Sequence, residues 1–211
     1  MNLIIIYSAI YLLLFGFTDL LYHRFAIHAN HTRKIVHVCT GLIALTFPIY
    51  LLHFWQVAWL CISFLVLMGI SEKMKWFKSI TAVERKSYGS WLFALVVLAC
   101  FYFQLMSKRS ELFYLPILVL SISDPLAAIV GKRLNYKPIA VFRQVKTIGG
   151  SLAFLVSAYL IIVLVNHFYY SLESIEIVGL SMAATIAELL STKGLDNLTI
   201  PGIIVLLLSI L

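Results

Sequence analysis

The sequence predicts an all-α integral membrane protein with about eight transmembrane helices. Of its 211 residues, 62% are hydrophobic and 12% are charged, and the mean hydropathy is +1.00. Soluble domains are about half apolar and about a quarter charged, so this composition excludes a soluble globular enzyme. Eight spans of ~19 residues would leave only ~59 residues for the connections. We therefore expect one integral-membrane domain over residues 1–211.

The helices are predicted from apolar runs that recur along the whole chain. The second and third runs are separated only around His53 and Phe54, which predicts a tight helical hairpin. The last run has about 13 residues, short for a bilayer span of about 20, so seven crossings are the alternative to eight. The runs lie at about 3–21, 35–52, 55–71, 88–106, 112–131, 149–168, 175–192 and 199–211.

The positive charge is unevenly distributed between alternate loops. Lys and Arg total 16 against nine Asp and Glu, a formal net charge of +7. With eight crossings, the loops after odd-numbered helices carry 14 of the cations and the opposite side carries Lys108 and Arg109. This asymmetry predicts cytoplasmic basic loops and outward-facing termini, and it favours anionic lipids over nucleic acid as partners. The 14 cations are Arg24, Arg33, Lys34, Lys73, Lys75, Lys78, Arg85, Lys86, Lys132, Arg133, Lys137, Arg143, Lys146 and Lys193.

The strongest candidate for a functional residue is Asp124, because a carboxylate at membrane depth is costly. Pro125 follows it and removes a backbone N–H, which predicts a kink or break beside the carboxylate. Asp124 shares a helix face with the small residues Ala127, Ala128 and Gly131, leaving room for a ligand to approach. The alternative is a seam of small residues between two helices, with Asp124 bonded to a neighbouring serine.

A second cluster opens the second helix. Arg33, His37 and Gly41 recur every four residues and share one face, with Lys34 beside them. The two cations could equally be ordinary positive-inside anchors, and His37 taken alone would be a core histidine. Its position on the Arg33 face makes it a candidate for the site.

The loop from Lys132 to Lys146 holds five cations and no acid, and leads into Lys146-Thr147-Ile148-Gly149-Gly150-Ser151. Glycines and a serine at a helix N-terminus should offer free N–H groups to an anion. A polyphosphate would suit such a loop, and anionic lipid is the alternative partner. The sequence contains neither a Walker A motif nor the protein-kinase signatures.

Taken in order, these motifs resemble the CTP-dependent lipid kinases, namely dolichol kinase, phytol kinase and the CTP-using diacylglycerol kinase. The resemblance runs from about residue 33 to 202. It rests on Arg33-Lys34-x-x-His37-x-x-x-Gly41, Ser123-Asp124-Pro125-x-Ala127-Ala128-x-x-Gly131-Lys132, Lys146-Thr147-x-x-Gly150-Ser151 and Glu188…Asp196-Asn197-Leu198-Thr199-x-Pro201, and more weakly on Arg85-Lys86-Ser87-Tyr88-Gly89.

The chain departs from that family's pattern at two positions. Gly149 stands where the family commonly has an acid, so a role assigned to that acid does not transfer. Asn135 replaces a frequent glycine, which is acceptable because Asn tolerates left-handed backbone. Phosphatidate cytidylyltransferases have a similar core, but their Gly-rich C-terminal stretch is replaced here by Thr192-Lys193-Gly194-Leu195-Asp196.

The resemblance implies phosphoryl transfer from CTP, with Mg²⁺ or another divalent cation, to the hydroxyl of a membrane lipid alcohol. A small transporter or lipid-binding membrane protein is the alternative from another class. The implied roles are catalytic for Asp124, Lys146 and His37; nucleotide-binding for Arg33, Lys34, Lys132, Lys146, Thr147, Gly150, Ser151 and Asn197; and metal-binding for Asp124, Asp196 and Glu188.

Overall fold

The computed structural model describes residues 2–74, 76, 77, 79, 88–141, 144–169 and 172–211, and confirms the all-α class. Lys75, Lys78, Arg85, Lys86, Ser87 and Arg143, which entered the charge count or the motif at 85–89, lie outside the described residues. The helices are α1 (Asn2–Arg24), α2 (Ala29–Ala44), α3 (Phe47–Tyr50), α4 (Phe54–Met74), α5 (Gly89–Ser107), α6 (Glu111–Leu118), a π-helix (Val119–Ser123), α7 (Asp124–Leu134), α8 (Ile148–Tyr169), α9 (Ser174–Leu190) and α10 (Asp196–Ile210).

All eight apolar runs are helical over most of their length, but the number of membrane crossings is not thereby confirmed. Five described helical segments are long and apolar enough to cross a bilayer: Leu3–Arg24, Phe54–Met74, Gly89–Ser107, Glu111–Leu134 and Ile148–Tyr169. The helices in the second, seventh and eighth runs have 16, 17 and 15 residues.

A β-hairpin between α7 and α8 was not predicted. Strands β1 (Pro138–Val141) and β2 (Gln144–Thr147) pair antiparallel, with Ile139 opposite Lys146. Each strand has four residues, too few to give a clear alternating pattern in the sequence. The hairpin fixes the direction from which Lys146 enters the helical bundle.

The helices alternate in direction, so that their ends form two groups. At one end, the Tyr88 N–H donates to the Lys193 carbonyl at 3.0 Å and the Thr32 hydroxyl donates to the Ser79 carbonyl at 2.7 Å. At the other, which we call the opposite end, Arg109 bonds the Leu208 carbonyl and the ring of Tyr114 stacks on that of Tyr169. Buried apolar side chains fill the space between the two ends.

Candidate functional site

Asp124 lies directly after a π-helix in the middle of the long segment Glu111–Leu134. The predicted break at Pro125 is instead a local π turn, after which the helix continues through Lys132 and Arg133 to Leu134. It ends further from Asp124 than the apolar run indicated, because cations are favourable in a last helical turn. Asn135 caps it with a φ of 45°, which confirms the left-handed backbone expected there.

The π turn leaves the Leu120 carbonyl short of a backbone donor. In a π-helix the carbonyl of residue i accepts from the N–H of residue i+5, and five residues after Leu120 comes Pro125, which has none. The His37 Nε2 lies 3.2 Å from this carbonyl oxygen. His37 therefore connects α2 to the backbone one turn before Asp124, with Nε2 as the donor.

Gly41 allows α2 to approach the π-helix closely. A Cβ at Gly41 would lie 1.8 Å from the Ser121 Oγ, far inside van der Waals contact. The two segments can therefore pack at this distance only with glycine at position 41. Arg33, His37 and Gly41 thus share one helix face, as predicted, and His37 and Gly41 both lie against the π-helix.

The cations of α2 face the predicted carboxylates. Burial lowers the pKa of the Arg33 guanidinium, while the carboxylates of Asp196 and Asp124 act in the opposite direction. Burial likewise lowers the pKa of Lys34; Asp124 opposes this shift, and Lys132 adds to it. Residues from α2, α7 and α10 therefore share one electrostatic environment.

Lys146 and Glu188 form an ion pair, with 2.5 Å between Nζ and Oε1. Their side chains are only 14% and 9% exposed, and the Lys146 ammonium also donates to the Glu188 backbone carbonyl. Two of its three protons are thus used inside the protein. Both residues act electrostatically on Asp124, together with Asp196 and Lys34. The sequence assigned Lys146 and Glu188 separately to nucleotide and metal, and the structure pairs them.

The start of α8 differs from the expected free anion site. The N–H groups of Ile148 and Gly149 donate to the carbonyls of Lys137 and Tyr136. The Gly150 N–H donates to the Thr147 Oγ1 at 3.0 Å. The expectation of unblocked N–H groups was therefore wrong at Gly149 and Gly150, because the Tyr136 carbonyl, just before β1, and the Thr147 side chain accept their bonds.

Gly150 and Gly131 are packing residues at the crossing of α7 and α8. A Cβ on Gly150 would lie 2.9 Å from the Ala127 carbonyl oxygen and 3.3 Å from the Gly131 Cα. The small-residue seam considered as an alternative for this helix face is therefore present at Ala127 and Gly131, whereas Ala128 is exposed. The other half of that alternative fails, because the hydroxyls of Ser121 and Ser123 have no hydrogen-bond partner and so do not bond Asp124.

Asn197 orients Asp196 at the start of α10. Its Nδ2 donates to the Asp196 Oδ1 at 3.1 Å and to the Gly194 carbonyl at 3.2 Å. Its Oδ1 is buried without a partner in the described chain. Asn197 therefore offers a ligand one acceptor oxygen, while its amide nitrogen is committed to the loop.

Five buried polar atoms of the site have no hydrogen-bond partner among the described residues. We call the residues bearing these atoms, together with Arg33, Lys34, His37, Asp124, Lys146 and Asp196, the polar cluster. Buried polar groups in proteins are nearly always bonded, so unbonded ones grouped in one place indicate a binding site. The five atoms are Ser121 Oγ, Ser123 Oγ, Ser151 Oγ, Glu188 Oε2 and Asn197 Oδ1.

The predicted metal ligands do not form a ready-made cage. Within the described residues, no group of three or more His, Cys, Asp or Glu side chains is placed to hold a metal. Mg²⁺ usually takes one or two carboxylates and completes its shell with water and phosphate oxygens. Asp124 and Asp196 fit that requirement, with the free acceptors of Glu188 and Asn197 nearby.

The structure brings most of the residues predicted from the sequence into one cluster, and adds Ser121, which was not predicted. Lys132 is exposed, and Thr147 and Ser151 lie at the packed start of α8. Ser121 was missed, although a serine two residues before Ser123 in an apolar helix is a signal for it. The three cysteines, Cys39, Cys61 and Cys100, are free.

Comparison with known proteins gives one informative match. No protein-family model matches the chain, and no solved structure matches it significantly. The chain is 29% identical over 178 residues to a phytol kinase from Synechocystis sp. (strain ATCC 27184 / PCC 6803 / Kazusa). The alignment covers 82% of this chain and 76% of the relative. This similarity supports a lipid kinase family for a chain whose polar residues converge on one half-buried carboxylate, that of Asp124.

Proposed function

We propose that this protein is a membrane-embedded kinase that transfers the γ-phosphoryl group of CTP to the hydroxyl of a phytol-like lipid alcohol. The observation that carries the proposal is the polar cluster: a carboxylate at a π turn, surrounded by cations and by buried oxygens without partners. The similarity to a phytol kinase supports the reaction and the class of acceptor. The choice of CTP as donor follows the family resemblance of the motifs.

In the proposed reaction the alcohol oxygen attacks the γ-phosphorus. A new O–P bond forms while the bond from the γ-phosphorus to the β,γ-bridging oxygen breaks, releasing the nucleoside diphosphate. Asp124 would orient the hydroxyl and take its proton, which then passes to water. Phosphoryl transfer depends mainly on positioning and on stabilisation of charge, and a half-buried carboxylate beside Lys34 and Lys146 suits both.

The cations would bind the triphosphate from two directions. Arg33 and Lys34 approach from α2, and Lys132 from the exposed end of α7. Lys146 keeps one proton beyond the two it donates to Glu188. Thr147, Gly150 and Ser151 would contribute mainly by fixing the start of α8, with the Ser151 hydroxyl free to bind.

A divalent cation, Mg²⁺ by preference, would be held by Asp124 and Asp196, with Glu188 and Asn197 as neighbouring acceptors. Such an ion neutralises charge on the phosphate oxygens during transfer. We place the polar cluster at the cytoplasmic face, where the nucleotide is available, because the basic loops cluster there by the positive-inside rule.

The test uses purified protein in lipid nanodiscs with Mg²⁺, phytol and CTP labelled at either the α- or the γ-phosphate. We expect the γ-label in the lipid extract as phytyl monophosphate, and no α-label there. Transfer of α-label to phosphatidate would instead establish a cytidylyltransferase. Absence of labelled lipid with CTP, ATP and the other nucleoside triphosphates would refute the kinase assignment.

A further inference from the structure

A separate apolar cavity of about 260 Å³ lies beside the polar cluster, between α1, α2, α4 and α5. Its wall is mainly aromatic and aliphatic, with two small side chains, Ala44 and Ala94, where the helices approach. Its volume is near the lower limit of ligand pockets, which run from about 300 to 1,000 Å³. A cavity of this size accommodates part of one narrow ligand.

Two of the four side-chain hydroxyl groups in the wall, those of Thr40 and Ser63, are already bonded. The Thr40 hydroxyl donates to the Val36 carbonyl at 2.7 Å, and the Ser63 hydroxyl donates to the Leu60 carbonyl at 2.9 Å. Both therefore bond to their own helices. Apart from Ser8, Tyr11 and Cys61, the other side chains of the wall are hydrocarbon, which favours an apolar occupant over water.

One side of the cavity adjoins the polar cluster through Phe93. The Phe93 ring lines the cavity and also contacts the His37 ring, with 5.1 Å between the centroids. Thr40, another wall residue, lies one turn after His37 in α2. A ligand in the cavity would thus have one end beside His37, and His37 bonds the backbone one turn before Asp124.

Another side of the cavity opens toward the bilayer. Leu12 lines the cavity, yet its side chain is 51% exposed on α1. Along α1 the wall runs from Phe15 to Ser8, seven residues or ~10 Å of helix. An extended chain longer than this could leave through the opening beside Leu12 into the surrounding lipid.

We propose that this cavity binds the hydrocarbon chain of the alcohol substrate and thereby selects alcohols with a single isoprenoid-type chain. The hydroxyl end points toward His37 and Asp124, and the distal end of the chain passes Leu12 into the membrane. Two acyl chains side by side would need a wider cavity than one of about 260 Å³. This inference rests on the proposed kinase activity and adds to it the place where the chain binds.

The experiment fills the cavity and varies the length of the alcohol. The variant Ala94→Phe adds a large side chain at a wall residue that is 4% exposed. The matched control is Leu95→Phe at the next position, where the native residue is 49% exposed. Rates are measured with geraniol, farnesol and phytol, whose chains increase in length. We expect Ala94→Phe to lower kcat/KM for phytol about tenfold or more while geraniol stays within about twofold. Leu95→Phe should leave all three rates unchanged.

The retained rate with geraniol also reports that Ala94→Phe is folded. If that rate is lost too, the smaller change Ala44→Leu is tested in the same way. Equal losses for all three alcohols in both variants, or no change in either, would overturn the inference.

A second readout does not depend on turnover. A phytol analogue with a photoreactive diazirine near the chain end is crosslinked to the wild-type protein and the labelled peptides are mapped. We expect labels on α1 and α4 around Leu12 and Phe64, with loss of label in Ala94→Phe. Labels confined to other helices would refute the cavity as the chain site. Labels at the cavity without phosphorylated product would refute the kinase function alone.

Discussion

The polar cluster and the opposite end of the bundle differ in how many of their buried polar groups are hydrogen-bonded within the protein. At the opposite end, Arg109 bonds Glu111 at 3.0 Å and the Leu208 carbonyl at 2.8 Å, and the Tyr7 and Thr46 hydroxyls lie 2.6 Å apart. In the polar cluster, five buried oxygens have no partner in the described chain. Near the opposite end, one such atom is Gln104 Oε1. Polar groups at the opposite end are therefore mostly bonded within the protein, whereas those of the polar cluster are available to a ligand.

The difference has an energetic consequence. A buried polar group without a partner costs about 1–3 kcal/mol, and five of them together are comparable with the whole stability of a protein, about 5–15 kcal/mol. A ligand that bonds these oxygens would recover part of that cost. The polar cluster should therefore gain stability from its substrate, whereas the opposite end should be insensitive to it.

The largest combined effect on stability and activity is expected for Lys146→Met. It leaves the Glu188 carboxylate buried without a counter-ion, which should reduce the free energy of unfolding by about 3–5 kcal/mol. It also removes a cation from beside Asp124, which should slow phosphoryl transfer by about 10²-fold. Chemical denaturation and the lipid-labelling assay measure the two losses.

The double variant Lys146→Met with Glu188→Leu separates these losses. Replacing both members of a buried ion pair by apolar side chains is often close to neutral for stability. We expect stability to return and activity to stay low. Recovery of wild-type activity in the double variant would mean that the pair has only a structural role.

His37→Leu tests the connection between α2 and the π turn. Loss of the hydrogen bond to the Leu120 carbonyl should let the backbone before Asp124 shift and lower kcat about tenfold, since small displacements of reacting groups are costly. His37→Gln keeps an amide donor and should recover much of the rate. Equal losses in both variants would indicate that the imidazole itself takes part in the reaction.

The smallest of these effects is expected from a single added methyl group. Gly41→Ala places a Cβ against the Ser121 Oγ and should destabilise the protein by about 1–3 kcal/mol. Gly179→Ala in α9 meets nothing within 4 Å and should be neutral or stabilising by up to about 1 kcal/mol. Thermal unfolding of the two variants in one detergent compares them directly. Equal stabilities would show that α2 and the π-helix are not tightly packed.

The sequence predicted the helices and most members of the polar cluster because those signals are local. Long apolar runs determine helices, and ionisable residues within them stand out, as Asp124 does. The family resemblance also implied that Asp124 and Asp196 would lie together, because it assigned both to the metal.

The pairing of side chains could not be predicted in the same way. The Lys146–Glu188 bond depends on where a short hairpin points, and the bonds of the Ile148 and Gly149 N–H groups depend on how the chain at Tyr136 and Lys137 lies against the start of α8. That the Leu120 carbonyl is the one left without a backbone donor depends on the helix adopting a π turn rather than a simple kink. Each of these is a tertiary contact between segments distant in sequence, or a choice among backbone forms of similar energy.

The comparison of the two regions is tested most directly by neutralising one carboxylate in each. Asp124 and Glu111 lie in the same segment, Glu111–Leu134, which is long and apolar enough to cross a membrane, and Asp124→Asn and Glu111→Gln each remove one negative charge with little change in shape. The measurement is the rate of γ-phosphate transfer from CTP to phytol by the two variants and the wild type, with thermal unfolding to show that both are folded. We predict a loss of about 10²–10⁴-fold for Asp124→Asn and a rate near wild type for Glu111→Gln. Wild-type turnover by Asp124→Asn would contradict the assignment of the polar cluster as the site of phosphoryl transfer.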